Sequence, residues 1–110
     1  MPPKTPEFLP GTLDMLILKT LTRAPNHGYG IAQYIQRVSE DALRVGEGSL
    51  YPALQRLLAN EWVQADWGTS ETGRRVRVYR ITAAGRKQLA QEVQGYGLTI
   101  AGIARVLEGA

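Results

Sequence analysis

Apolar residues along this chain recur in helical stripes, with one alternating stretch between the third and the last of them. Leu13, Met15, Leu16, Ile17, Leu18 and Leu21 crowd a first segment that Thr12 can cap and that Ala24-Pro25-Asn26 ends near Arg23. A helix apolar around most of its circumference must be covered on more than one side. Either the remaining chain surrounds it, or Leu13 and Ile17 meet a second copy. Ile31, Tyr34, Ile35 and Val38 predict a second helix, opened by His27-Gly28-Tyr29-Gly30 and running to about Ser39. Leu50, Leu54, Leu57 and Leu58 then mark a third, over residues 48–60. Ser49 is its expected N-cap, Pro52 its third residue, and Asn60 its left-handed terminator.

Val63, Ala65 and Trp67 alternate with Gln64 and Asp66, the period of a strand. A turn-rich loop from Gly68 to Gly73 leads to a returning strand, Arg74 to Ile81, so the pair forms a hairpin. In the second strand Val76 and Val78 share one face, while Tyr79 and Ile81 share the other with Arg75 and Arg77. That mixture predicts a basic outer half and a buried inner half, separated by a bulge. Arg44-Val45 is a candidate for a short additional strand. Thr82 can cap a last helix, on which Leu89, Val93, Tyr96, Ile100, Ile103 and Leu107 follow the alternating four-and-three spacing of a coiled-coil seam. Gly95, Gly97 and Gly102 lie inside it, each costing about 0.8–1 kcal/mol relative to alanine. The helix is therefore crossed closely there, or interrupted, or bent.

Composition narrows the function classes. A chain of 110 residues with 44% hydrophobic content suits one folded domain with a modest core. Its net charge of +3 is mild, but from Arg74 to Lys87 there are six basic residues and no acid. Such a block suits a polyanionic partner. With no cysteine and a single histidine, His27, neither a disulfide framework nor a structural zinc site is expected. His27 reads as a first-turn surface or capping residue, since no nucleophile or paired acid accompanies it. Gly28-Tyr29-Gly30 and Gly46-Glu47-Gly48 lack the strand and full spacing of a phosphate loop and read as turns. No cofactor and no metal are expected, and an enzyme is the least expected class. Residues 1–11, with four prolines, read as an extended arm. Without an apolar run for a signal or a membrane span, the expected location is cytoplasmic.

The fold class expected is mainly α with a small β-hairpin: a winged helix-turn-helix over residues 12–82, followed by a dimerisation helix over 83–110. On the third helix, Pro52, Gln55, Arg56 and Ala59 lie opposite the leucines, with Tyr51 at the border. That outward face is small, carries two long hydrogen-bonding side chains, and suits the major groove of double-stranded DNA. The plainer reading is an amphipathic core helix with an ordinary wet face. Arg74, Arg75 and Arg77 near the hairpin tip suit phosphates or a minor groove. Their plainer reading is a charged edge strand that resists aggregation.

Four strings in order carry a resemblance: Gly11-Thr12-Leu13-Asp14-Met15-Leu16-Ile17-Leu18, His27-Gly28-Tyr29-Gly30-Ile31, Gly48-Ser49-Leu50-Tyr51-Pro52-Ala53-Leu54-Gln55-Arg56-Leu57, and Gly73-Arg74-Arg75-Val76-Arg77-Val78-Tyr79-Arg80-Ile81-Thr82-Ala83-Ala84-Gly85. Together they resemble the PadR family of bacterial transcriptional regulators, in its compact branch with one terminal helix. The resemblance implies a homodimeric winged helix-turn-helix, usually a repressor, on an inverted-repeat operator. Tyr51 falls on the family's motif tyrosine, expected with Ser49 to hold the DNA backbone, while Gln55 and Arg56 face bases. Leu13, Ile17, Leu89, Val93, Tyr96, Ile100, Ile103 and Leu107 would serve the dimer. Two departures stand out. Glu61 occupies a position where the family usually has glycine. Tyr96 stands where some compact relatives carry a tryptophan that stacks on flat aromatic effectors, which makes Tyr96 the candidate effector contact. An alternative from another class is a winged protein-interaction module that has lost DNA binding.

Overall fold

The computed structural model describes residues 11–109. Its elements are α1 (Thr12–Leu21), β1 (Asn26–His27), α2 (Gly28–Val38), α3 (Glu47–Ala59), β2 (Val63–Thr69), β3 (Arg75–Ile81) and α4 (Ala83–Leu107). The arm expected at the N-terminus lies outside the described residues, apart from Gly11.

α1 is the centre of the fold. Gly11, left-handed at φ 83°, is its N-cap; Thr12 is already helical, so the expected Thr12 cap does not form. The helix touches α2, α3, α4 and β3. Its apolar circumference is therefore covered by its own chain. Leu13 and Ile17, expected at a subunit interface, are 5% and 0% exposed within the single subunit. They belong to the core, together with Leu18, Ile31, Leu54, Leu57 and Val63.

His27 caps α2: its ring Nδ1 accepts from the Gly30 amide at 3.1 Å. Ile31 and Ile35 are buried as the stripe requires, but Val38, at the last residue of the helix, turns out to solvent. The third strand of the sheet is Asn26–His27 and not Arg44-Val45. The chain leaving α1 passes the free edge of β3, pairing Asn26 with Tyr79 and His27 with Val78. Sheet order is β1-β3-β2, antiparallel throughout.

α3 begins at Glu47, two residues before the expected cap. Gly46 is the N-cap, in extended conformation and without a side-chain bond, which places Ser49 third in the helix and Pro52 sixth. The proline ring therefore deprives the Gly48 carbonyl of its donor; both residues are exposed, so water can serve instead. The far end also differs from expectation. Asn60 stays right-handed, while Glu61 takes φ 61°. The Trp62 amide donates to Leu57 O and the Glu61 amide to Leu58 O, each at 3.0 Å. Those two bonds form a Schellman cap, whose left-handed residue favours glycine.

The β2–β3 register runs unbroken from Val63 opposite Ile81 to Thr69 opposite Arg75, so the expected bulge is absent. None is needed, because the hairpin extends past the body. One face is core at its inner end (Val63, Ala65, Tyr79, Ile81) and exposed farther out (Trp67, Arg77, Arg75).

α4 is locked at its start. Thr82 Oγ1 accepts from the Gly85 amide at 3.0 Å and donates to Glu61 O at 2.8 Å. A Cβ on Gly85 would collide with the Trp62 carbonyl, so only glycine permits this approach. The helix then continues unbroken through Gly95, Gly97 and Gly102. Its 25 residues span about 37 Å, and only the first turns are packed on the body. Leu89 is 9% exposed and belongs to the core, whereas Leu107 is 80% exposed. This protruding helix explains a radius of gyration of 15.4 Å, against about 13 Å for a compact chain of this length.

Candidate nucleic-acid interface

α2 and α3 form the helix-turn-helix. They meet at Gly28, where an added Cβ would sit in ordinary contact, 3.5 Å from both Leu50 Cδ2 and Tyr51 Cε1. Leu50, Ala53, Leu54 and Leu57 seat α3 in the core. Ser49, Tyr51, Pro52, Gln55, Arg56 and Ala59 are exposed. Glu47 stands in the first turn of α3, where a carboxylate suits the positive end of the helix dipole.

Arg56 is exposed on the outward side of α3 and also makes an ion pair. Its guanidinium meets the Asp14 carboxylate at 2.8 Å, with the Arg56 side chain 55% and the Asp14 side chain 13% exposed. The pair ties α3 to α1 and leaves Gln55 as the long outward side chain of α3 not engaged in an ion pair. Asp14 was not legible as a site residue, because its partner lies 42 positions away.

The wing divides its charges between two faces. Arg80 pairs with Asp66 at 2.9 Å on the face that also carries Gln64 and Val78. Among the described residues, Arg74, Arg75 and Arg77 have no carboxylate partner. Arg75 Cζ sits 4.3 Å from the centre of the Trp67 ring, and Arg77 Cζ sits 6.0 Å from that of Tyr79. Burial raises the Tyr79 hydroxyl above the ordinary tyrosine value; nearby Arg77 pulls it down, and Tyr51 pushes it up. Geometry brings Tyr51 of α3 toward the inner end of β3: a Cβ on Gly28 would lie 3.5 Å from Tyr51 Cε1, and the preceding His27 pairs with Val78. The N-terminal part of α3 therefore lies near the inner end of the wing. Trp67 drew notice in the sequence only as a strand residue. Its exposure depends on how far the hairpin overhangs the body.

Beyond Leu89, the seam on α4 is uncovered in the single chain: Val93, Tyr96, Ile100 and Ile103 are 51%, 45%, 41% and 42% exposed. A cleft of about 390 Å³ between α1 and α4 is lined by Thr12, Met15, Gln88, Glu92, Tyr96 and Thr99 among others. Among the described residues no helix is long and apolar enough to cross a membrane, and no group of acids and histidine could hold a metal ion.

A helix-turn-helix flanked by a basic hairpin is the winged-helix architecture of DNA-binding proteins. Residues 17–91 match the PadR-like family of transcriptional regulators. The chain is 31% identical over 88 residues to an uncharacterised protein of Lysinibacillus sphaericus, covering 80% of this chain and 81% of that one. It is 39% identical over 69 residues to a transcriptional regulator of Mycobacterium tuberculosis, covering 63% of each. A solved transcriptional regulator from Clostridium thermocellum superposes with a TM-score of 0.79 at 32% identity, covering 86% of this chain and 92% of that one. The chain belongs to the PadR-like family and is a transcriptional regulator; DNA is the partner that membership implies.

Proposed function

We propose that the protein is a homodimeric repressor that binds an inverted-repeat operator in double-stranded DNA. The observation that carries this reading is the exposed outward face of α3 together with a wing whose Arg74, Arg75 and Arg77 have no carboxylate partner among the described residues. Ser49 and Tyr51 approach phosphates, Pro52 and Gln55 face the major groove, and Arg74, Arg75 and Arg77 meet the flanking backbone or minor groove. Arg56 serves chiefly to hold α3 on α1. Residues 12–82 form the recognition unit and residues 83–110 the dimerisation helix.

The exposed seam supports the dimer. An apolar stripe of this length on a regular helix is a surface that a second helix covers. Val93, Tyr96, Ile100, Ile103 and Leu107 are its contacts; Leu13, Ile17 and Leu89 support it from within the subunit. A symmetric pair sets two α3 helices about 34 Å apart, one duplex turn. A small aromatic or apolar effector at Tyr96, beside the α1–α4 cleft, would change that separation and release the operator.

Selection of bound sequences from a random duplex pool tests the reading. An inverted repeat with half-sites one turn apart is expected, and Gln55→Ala should alter the preferred bases within each half-site. A pool that yields no common sequence would refute sequence-specific recognition.

A further inference from the structure

The wing carries an indole to which operator binding, as proposed, gives no task. Trp67 is 61% exposed on β2. It stands directly opposite Arg77, and the next pair on the same face is Thr69 with Arg75. The Arg75 guanidinium lies over this indole at 4.3 Å. Tryptophan is the strongest aromatic partner for a cation, and a stacked guanidinium still offers its N–H edge to an anion. Along this face Tyr79 lies innermost, Arg77 and Trp67 stand side by side at the next level, and Arg75 lies nearest the tip, so each of the two arginines has a ring beside it. The strip begins at the inner end of β3, where β1 pairs with it and leads into Gly28 next to Tyr51 of the recognition helix.

We propose that Trp67 is a positioning residue for DNA binding, its indole holding the Arg75 guanidinium oriented toward a backbone phosphate or minor-groove edge. The proposal rests on the wing being a DNA contact. An unrestrained arginine at a hairpin tip samples many rotamers and loses that freedom when it grips a phosphate. Stacking on Trp67 removes part of that loss before the duplex arrives. The long-range charge is the same with or without the ring.

The test is a double-mutant cycle on one selected duplex, using the full chain with Trp67→Ala, Arg75→Ala and both, and with Trp67→Phe as the conservative variant. Trp67→Ala should weaken binding about fivefold while leaving the salt slope in place. Arg75→Ala should lower that slope by about 0.9 for each subunit bound. In the Arg75→Ala background, removing Trp67 should cost less than about twofold, and Trp67→Phe should recover most of the affinity that Trp67→Ala forfeits. Effects that simply add would overturn the proposal, since they mean that Trp67 touches DNA itself or only supports the hairpin. NMR of the free protein needs no duplex: the Arg75 δ-protons should show a ring-current shift that disappears in Trp67→Ala, and ordinary shifts in the wild type would overturn the proposal. If the wild type binds no duplex at low salt, the DNA reading falls and this inference falls with it. Wild-type binding with additive effects removes this inference alone.

Discussion

Arg56 on the recognition helix and Asp14 on the central helix form an ion pair at 2.8 Å. Asp14 is largely shielded and Arg56 half exposed, so the pair is worth more than a surface salt bridge and less than a fully buried one. Arg56→Ala should lower unfolding stability by about 1–2 kcal/mol, measured by chemical denaturation. Asp14→Asn should lose less, because the amide still accepts a hydrogen bond. If Arg56→Ala melts like the wild type but changes the selected DNA sequence, Arg56 is a base reader after all.

Glu61 holds a left-handed conformation at φ 61°, a region that costs residues with a Cβ about 1–2 kcal/mol. Glu61→Gly should therefore stabilise the protein by about 1 kcal/mol, net of the freedom glycine gains in the unfolded chain. Thermal melting should show a gain of several degrees. An unchanged or lower melting temperature would mean that the Glu61 side chain contributes something its backbone conformation conceals.

Tyr79 supplies a pH dependence. Burial raises its hydroxyl above the ordinary value of 10.0, outweighing Arg77. Below that ordinary value both folded and unfolded states are neutral, and the contribution is fully present. As pH rises through the folded value the unfolded chain holds fewer protons, and stability is lost. Tyr79→Phe should flatten the alkaline decline without altering the acid side. Parallel curves for the two proteins above pH 10 would contradict the assignment.

Ile100 and Ile103 are 41% and 42% exposed in the single subunit, so charging them should disturb the subunit little. Ile100→Lys with Ile103→Lys should give a folded monomer by sedimentation. Operator affinity should fall by at least about a hundredfold, since each half-site then binds without the benefit of linkage. A dimer that persists would place the interface elsewhere.

Much of this was legible in the residues because periodicity is local. Leu50, Leu54 and Leu57 mark the buried side of α3 whatever surrounds them, and Thr82 declares itself as a cap, whereas His27 suited a cap or the surface equally. The start of α3 was not legible, since Ser49 is a good cap in isolation and the extended conformation of Gly46 is set by the loop before it. Nor could the sequence say what covers α1: the same leucines suit a core or an interface, and only packing decides. The basic wing could be read as a block, but not its division. Arg80 is neutralised by Asp66 from the adjacent strand, and Arg75 is held by Trp67, both through pairing that depends on register. Glu61 stood out as a departure from glycine, while its left-handed backbone shows what that departure costs.

The most direct measurement is the affinity of wild type and of Arg75→Ala with Arg77→Ala for one selected inverted-repeat duplex across a range of salt. The expected result is a steep wild-type dependence, with the slope in the double variant smaller by about 0.9 for every phosphate that the two arginines of each subunit no longer neutralise. Equal affinities and equal slopes for the two proteins would contradict the assignment of the wing to DNA.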